Sequence, residues 1–323
     1  MDSHFAKAPV AGLAKTRAIP ALGAGRAPST TGVRIRNAGA TLFEAFLASR
    51  TCMKLAQVAA LALSITALAT ANAVPVVTAV GGANAAAISL TVDAYRASLG
   101  VLNPNVAGSF GSGRREINWD GVPDALAAPN NLPANFFNVN SPRGAVFSTP
   151  GSGFQVSANA AAGPVEFGNL NASYPSLFGT FSSQRLFTAL GSTITDVIFF
   201  VPGSATPATV SGFGAVFTDV DLPQVSSLQF FDQNDALLGV FFVPAIVGNE
   251  TLSFIGVMFT TERIGRVRIT SGNQILGGAE TGDLVVMDDF IYGEPVAVPE
   301  PATLALLLAG LGVVGFAARR KKT

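Results

Sequence analysis

The sequence predicts a mainly β protein: an antiparallel β-sandwich of jelly-roll type, with a short N-terminal helix and a single C-terminal transmembrane helix. From about residue 146 onward, short runs rich in Val and Phe are separated by Gly, Pro, Asn and Asp, which is the pattern of short strands joined by turns. Before these runs, one stretch has the apolar spacing of a helix. The uncharged apolar run 302–318 is long enough, at about 25 Å as a helix, for one short membrane crossing. A series of short strands with little helix is typical of a sandwich.

The first part of the chain has the features of processing and export. Residues 1–52 are basic, with seven Lys or Arg against two acidic residues. After Met53 come a lysine, an apolar stretch and the cleavage pattern Ala71-Asn72-Ala73, which together form a tripartite export signal. The basic segment is interpreted as an upstream start-site artefact, with a long n-region or an organellar transit peptide as the alternatives. Four segments are predicted: a basic extension or artefact at 1–52, a signal peptide at 53–73, an exported β-sandwich at 74–297, and a C-terminal tail at 298–323 that contains the apolar run.

The exported domain is acidic and lacks the usual nucleophile and metal-binding side chains. Residues 74–298 contain eight arginines, no lysine and 17 acidic residues, a net charge of −9. This charge argues against nucleic acid as a partner and leaves cations and neutral sugars open. The only cysteine, Cys52, and the only histidine, His4, both precede Val74. Without them, the exported domain has no Ser-His or Cys-His pair, no His or Cys zinc site and no disulfide.

One helix and ten strands are predicted within the exported domain. Thr91 is the expected N-cap of a helix with Val92, Tyr95 and Leu99 on one stripe, and Gly100 is its expected end. The Asp and Asn residues at 232–235 are expected to join two Phe-rich runs in a hairpin. The predicted strands cover residues 146–148, 154–157, 185–189, 194–201, 209–218, 226–231, 236–243, 251–259, 265–270 and 284–292.

The C-terminal tail combines a rigid acidic motif, an apolar helix and a basic cluster. Pro299 and Pro301 fix extended geometry around Glu300, immediately ahead of the apolar run. The basic residues behind the run are expected to stay on the cytoplasmic side, so that the domain is held outside. These basic residues are Arg319, Arg320, Lys321 and Lys322.

This order of parts resembles the PEP-CTERM sorting signal of Gram-negative bacteria. The resemblance implies processing by an exosortase, an integral-membrane transpeptidase, with Pro299, Glu300 and Pro301 as the recognition element. It also implies passage through the inner membrane, transient anchoring by the C-terminal helix, and a final place at the cell surface or outside the cell. The alternative is an ordinary C-terminal anchor.

The segment 114–122 offers the first candidate site in the exported domain. If it is a strand, its period of two places Arg114, Glu116, Asn118 and Asp120 on one face, which predicts a glycan or calcium site. Glu116 and Asp120 would then be roughly 13 Å apart along the strand, which is too far for a glycosidase pair unless the chain bends. The alternative is a solvated face with an Arg114–Glu116 pair, with the intervening Trp in the core.

Aspartates that cluster at turns offer a second candidate, a calcium site. Ca²⁺ prefers six to eight oxygen ligands, which sandwich loops can supply. The candidate ligands are Asp219, Asp221, Asp288 and Asp289, with Asp283 beside the last two and Asp232 with Asp235 as a further pair. Ordinary turn chemistry is the alternative at each corner.

Residues 109–124 and 287–295 also resemble a group of secreted bacterial proteins that carry this tail, and that resemblance brings no catalytic residues with it. The functional hypothesis is an exported cell-surface or matrix protein, non-enzymatic, that binds extracellular polysaccharide or contributes to its structure. Its expected partners are an exosortase, the inner membrane and polysaccharide, with no nucleic acid. The alternative is a carboxylate-only glycoside hydrolase that uses acids from the set Glu116, Glu166, Glu250 and Glu262.

Overall fold

The structure, a computed structural model, describes residues 74–261, 263–278, 281–298, 306–307 and 309–312. The described chain is mainly β, and its strands pair antiparallel, as predicted. Before the tail, its α-helices are α1 (Ala85–Leu99) and α2 (Phe136–Val139). The strands are β1 (Val76–Gly82), β2 (Arg114–Ile117), β3 (Ala145–Ser148), β4 (Gly153–Val156), β5 (Phe187–Leu190), β6 (Ile194–Phe199), β7 (Ala208–Thr209), β8 (Gly212–Thr218), β9 (Ser227–Phe231), β10 (Leu237–Phe242), β11 (Leu252–Met258), β12 (Arg266–Thr270), β13 (Val286–Gly293) and β14 (Val296–Ala297).

The strands form two large sheets and one small one. The seven-stranded sheet has the order β1-β11-β8-β13-β5-β4, with β2 also paired to β13. The five-stranded sheet has the order β10-β9-β12-β6-β3, and β14 pairs with β7 alone. Inward side chains of both large sheets belong to one hydrophobic cluster, so the two sheets share a core. The jelly-roll connectivity stays a prediction.

Aromatic side chains fill the centre of this core. The Trp119 ring stacks on Phe187 with centroids 4.1 Å apart and meets Phe290 edge-on at 5.0 Å. Its indole Nε1 donates to the backbone oxygen of Asp288 at 2.8 Å, which gives the buried N–H a partner. The expectation that this tryptophan lies in the core is confirmed.

Helix α1 lies on the outer face of the seven-stranded sheet. It begins earlier than predicted, because the side chain of Asn84, and not Thr91, caps it by accepting from Ala87 N at 3.1 Å. Its end at Gly100 is as predicted. The Tyr95 ring lies over Gly256, where an added Cβ would come within 2.6 Å of the ring, so a side chain there would push the helix off the sheet.

Most predicted strand ranges agree with the structure to within two residues, and the hairpin of β9 and β10 is confirmed. The range 209–218 is in fact two strands, β7 and β8. Strand β1 was missed because its residues are small and apolar, without the alternation of a half-buried strand. Strand β14 was missed because it has only two residues.

A buried ion pair fixes the chain where β13 ends. The Arg115 guanidinium contacts the Glu294 carboxylate through Nε at 2.6 Å and Nη2 at 2.9 Å, and both side chains are almost completely buried. Asn103 Nδ2 donates to the same carboxylate at 2.8 Å, and Phe110 N does so at 3.2 Å. We call these contacts the Arg115–Glu294 clamp. The clamp connects the loop before β2 to Glu294, which lies between β13 and β14.

The sorting tail lies mostly outside the described residues. This is so for Pro299, Glu300 and Pro301 and for the basic residues 319–322, as it is for residues 1–73. Helical geometry is described at residues 306–307 and 309–312, inside the predicted span 302–318. In the part of the chain that the structure describes, no helix has both the length and the apolar character needed to cross a membrane.

Candidate functional site: an acidic pocket at the end of the seven-stranded sheet

An acidic pocket of about 440 Å³ opens where β8 ends and the chain approaches β13. Three carboxylates, two other polar side chains and three leucines line it. The residues that define the acidic pocket are Asp219, Asp221, Asp283, Gln274, Thr281, Leu177, Leu222 and Leu284. None of its described lining residues is basic. A cation or a ligand that donates hydrogen bonds is therefore the electrostatic complement of this pocket.

Asp219 is the carboxylate in the pocket that has a buried oxygen without a hydrogen-bond partner. The residue follows β8 directly and takes a left-handed conformation, φ 66°, which turns the chain away from the sheet. It is only 6% exposed, and its Oδ1 is buried without a partner. Burial raises its pKa to about 7, and the neighbouring charges of Asp221 and Asp283 add to the effect. A buried, unpaired carboxylate is costly, and a bound ligand would lower that cost.

Backbone N–H groups hold the other two carboxylates in place. Asp283 accepts from Asp221 N at 3.0 Å and from Leu222 N at 3.2 Å. Asp221 accepts from Gly248 N at 2.8 Å. Burial raises the pKa of Asp283 as well, although these two N–H groups partly oppose the change. The pocket thus combines two positioned carboxylates with one that is free to receive a ligand.

Asp288 and Asp289 form a separate site inside the protein, which we call the buried carboxyl pair. The register of β13 shifts between Met287 and Phe290, so both consecutive side chains reach Ser182. The hydroxyl of Ser182 lies 3.1 Å from Asp288 Oδ1 and 2.7 Å from Asp289 Oδ1. Arg96 Nη2 donates to Asp289 Oδ2 at 2.8 Å. The guanidinium therefore already supplies the positive charge that a calcium ion would bring here.

The predicted polar face of residues 114–120 is not one site. Arg114 Nε pairs with Glu116 at 2.6 Å, and Arg96 reaches the other oxygen of Glu116 at 3.3 Å. Strand β2 ends at Ile117, and Asn118 is exposed. Asp120 instead accepts from the backbone N–H groups of Gln184 and Arg185, at 2.6 and 3.1 Å, beside a second pocket of about 430 Å³.

The four acids of the hydrolase alternative have different surroundings. Glu116 is held in the ion pairs with Arg96 and Arg114. Burial, with the charge of Glu250 as the lesser cause, raises the pKa of Glu166 to about 7. The fourth acid, at position 262, lies outside the described residues.

No group of three or more His, Cys, Asp or Glu side chains within the described residues is arranged to hold a metal ion. Calcium at Asp219 and Asp221 would consequently need ligands from backbone carbonyls or water besides these carboxylates. The sequence pattern grouped Asp283 with Asp288 and Asp289, but the fold places it against Asp221, across a separation of 62 residues. Only the turn-like composition around each residue signalled the acidic pocket in advance.

Comparison with known proteins gives one match, in the tail. The family model of the PEP-CTERM protein-sorting motif matches residues 297–321, so the chain carries this motif, and the recognition based on the tail is confirmed. The motif implies export, membrane-associated sorting and processing by an exosortase. No curated protein and no solved structure matches the chain significantly. The match covers the sorting tail and leaves the role of the exported domain to its own geometry.

Proposed function

We propose that the chain is delivered to the cell surface or the extracellular matrix as a non-enzymatic binding module, whose acidic pocket binds the hydroxyl groups of a polysaccharide. The observation that carries the proposal is the buried Oδ1 of Asp219, which has no hydrogen-bond partner and lies in an open pocket, in a chain that carries an export and sorting motif. Carboxylates accept hydrogen bonds from sugar hydroxyls, and the leucines offer apolar contact to the sugar ring.

The position of the pocket supports this role. Strand β13 has eight residues and spans about 25 Å at roughly 3.3 Å per residue. The acidic pocket lies at its first end, beside Leu284, and the sorting tail follows its other end. A domain held at the membrane by the tail would therefore present the pocket away from the attachment point.

Binding is expected to depend on the pocket carboxylates. On a glycan array, residues 74–298 should bind at least one extracellular polysaccharide, and Asp219→Asn should weaken that binding about tenfold, or about 1.4 kcal/mol. Asp235→Asn is the matched control, because Asp235 also sits in a turn at positive φ, 64°, but lies away from the pocket.

The same array separates the alternatives. Parallel samples with added calcium and with a chelator test whether a cation takes part in binding. If a cation binds, its affinity for the pocket should increase as the pH rises through about 7, where Asp219 loses its proton. Equal binding by Asp219→Asn and the wild type would exclude the acidic pocket as the site. Release of new reducing ends from a bound glycan would favour the hydrolase alternative.

Processing is expected to depend on Glu300. With an epitope tag placed after Thr323, the wild-type protein should lose the tag, and Glu300→Ala should keep it and accumulate in the inner membrane. Asp93→Ala, at an exposed position of α1, controls for loss of an acidic residue. An ordinary anchor makes the opposite forecast: the tag would be retained equally in all three proteins.

A further inference from the structure

The sorting motif overlaps the last strand of the folded domain. The match to the motif begins at residue 297, and Ala297 is the second residue of β14. In β14, Val296 pairs with Thr209 and Ala297 pairs with Ala208. Val298 N then donates to the oxygen of Pro207 at 3.2 Å. The first residues of the motif are thus part of a β ladder.

Very little chain separates this ladder from the predicted membrane span. From Val298 to residue 302 there are four steps, which reach at most about 14 Å when fully extended. Peptide-binding proteins commonly take an extended segment by pairing with its backbone. While β7 pairs with β14, one of the two backbone edges of residues 296–298 is occupied and the segment is held against the domain.

The contacts of β14 make it the part of this region that opens most easily. It has two residues, Val296 is half-buried and Ala297 is exposed. Immediately before it, Glu294 is almost completely buried in the Arg115–Glu294 clamp. Short, exposed terminal elements open at low free energy, whereas buried ion pairs resist opening. Opening would consequently begin at the tail and stop at Glu294, which frees residues 295–298 and leaves the domain folded.

We propose that β14 must unpair from β7 before the peptidase can act, so that this two-residue strand controls the rate of processing. The proposal rests on exosortase processing, in which one peptide bond breaks, its acyl part passes to water or to an amine, and the amine part leaves with the tail. The strand limits access of the peptidase to the chain at residues 295–298 and takes no part in that chemistry.

A disulfide across the ladder tests this proposal. Val296 and Thr209 face each other in an antiparallel pair, where Cα atoms are about 4.5–5.5 Å apart, which suits a disulfide. In a Cys52→Ser background, Val296→Cys with Thr209→Cys places the only two cysteines of the full chain in this pair. We expect the oxidised protein to keep the tag after Thr323 and to lose it at least tenfold more slowly than the wild type. Adding a reductant should restore the wild-type rate.

Matched variants separate a closed strand from a damaged domain. Val76→Cys with Met258→Cys cross-links β1 to β11 in the same way, away from the tail, and should leave processing unchanged. Val296→Gly, which weakens β14, should accelerate tag loss several-fold. Tag loss at the wild-type rate in the oxidised Val296–Thr209 protein would overturn the proposal and leave exosortase processing intact. Retention that a reductant does not reverse would also overturn it, because the substitutions and not the cross-link would be responsible. A wild-type protein that keeps its tag would overturn exosortase processing itself, and the role of β14 with it.

Discussion

Replacing Glu294 by alanine is expected to lower the free energy of unfolding by about 3–5 kcal/mol. The substitution leaves the Arg115 guanidinium buried and without its counter-charge, while Asn103 Nδ2 and Phe110 N lose an acceptor. Removing one partner of a buried pair costs more than the pair itself contributes, because the remaining charge cannot reach water. The measurement is urea-induced unfolding of residues 74–298 at neutral pH.

Two control variants show whether the loss of stability comes from the unpaired, buried charge. Asp235→Ala removes an exposed carboxylate that is one of two counter-ions of Arg266, the other being Asp196, and should cost less than about 1 kcal/mol. Arg115→Met combined with Glu294→Leu removes both charges and should recover part of the lost stability, since no unpaired charge remains. A loss below about 1 kcal/mol for Glu294→Ala would mean that water reaches the clamp and that it does not secure the end of β13.

The clamp also shows what the sequence can and cannot predict. The period-two pattern of residues 114–120 correctly separates Arg115, Ile117 and Trp119 from the more exposed side chains. It gives no indication that the partner of Arg115 lies 179 residues away. Alternation depends on local geometry, whereas pairing between distant charges depends on how the sheets are ordered. An arginine on the inner face predicts only that some buried acid or carbonyl must exist to receive it.

The acidic sites also show that local sequence patterns do not predict which distant residues come together. Strict alternation places Asp288 and Asp289 on opposite faces of β13, but the register shift brings both to Ser182. A bulge of this kind leaves no consistent mark on the sequence, because it is specified by contacts with neighbouring strands. The pairing of Asp221 with Asp283 likewise depends on the order of β8 and β13 in the sheet. Composition could therefore indicate turns that are rich in acidic residues. Only the fold could show which of these turns lie next to each other.

The second large effect is expected at the buried carboxyl pair, where Asp288→Ala should destabilise the fold much more than Asp288→Asn. Asp288 Oδ2 accepts from Phe181 N at 2.6 Å and from Ser182 N at 3.2 Å. Alanine removes this acceptor and should cost about 2–4 kcal/mol, because two backbone donors lose their partner. Asparagine keeps an oxygen for both donors, and its amide N–H₂ can donate to Asp289 as a protonated Asp288 would.

The pH dependence of unfolding distinguishes these explanations. Burial, and then the neighbouring charge of Asp289, raise the pKa of Asp288 well above its usual value, while Arg96 acts in the opposite direction on Asp289. A carboxyl group whose folded-state pKa is raised stabilises the fold fully below its unfolded pKa, about 4, and loses that contribution as the pH rises through the folded value. The wild-type protein should therefore lose stability as the pH rises above about 4, and Asp288→Asn, which has no proton to lose at this position, should lose less. If the two proteins instead show the same change in unfolding free energy over this range, Asp288 is ionised in the folded state, and the pair is held by Arg96 and the backbone donors without a shared proton.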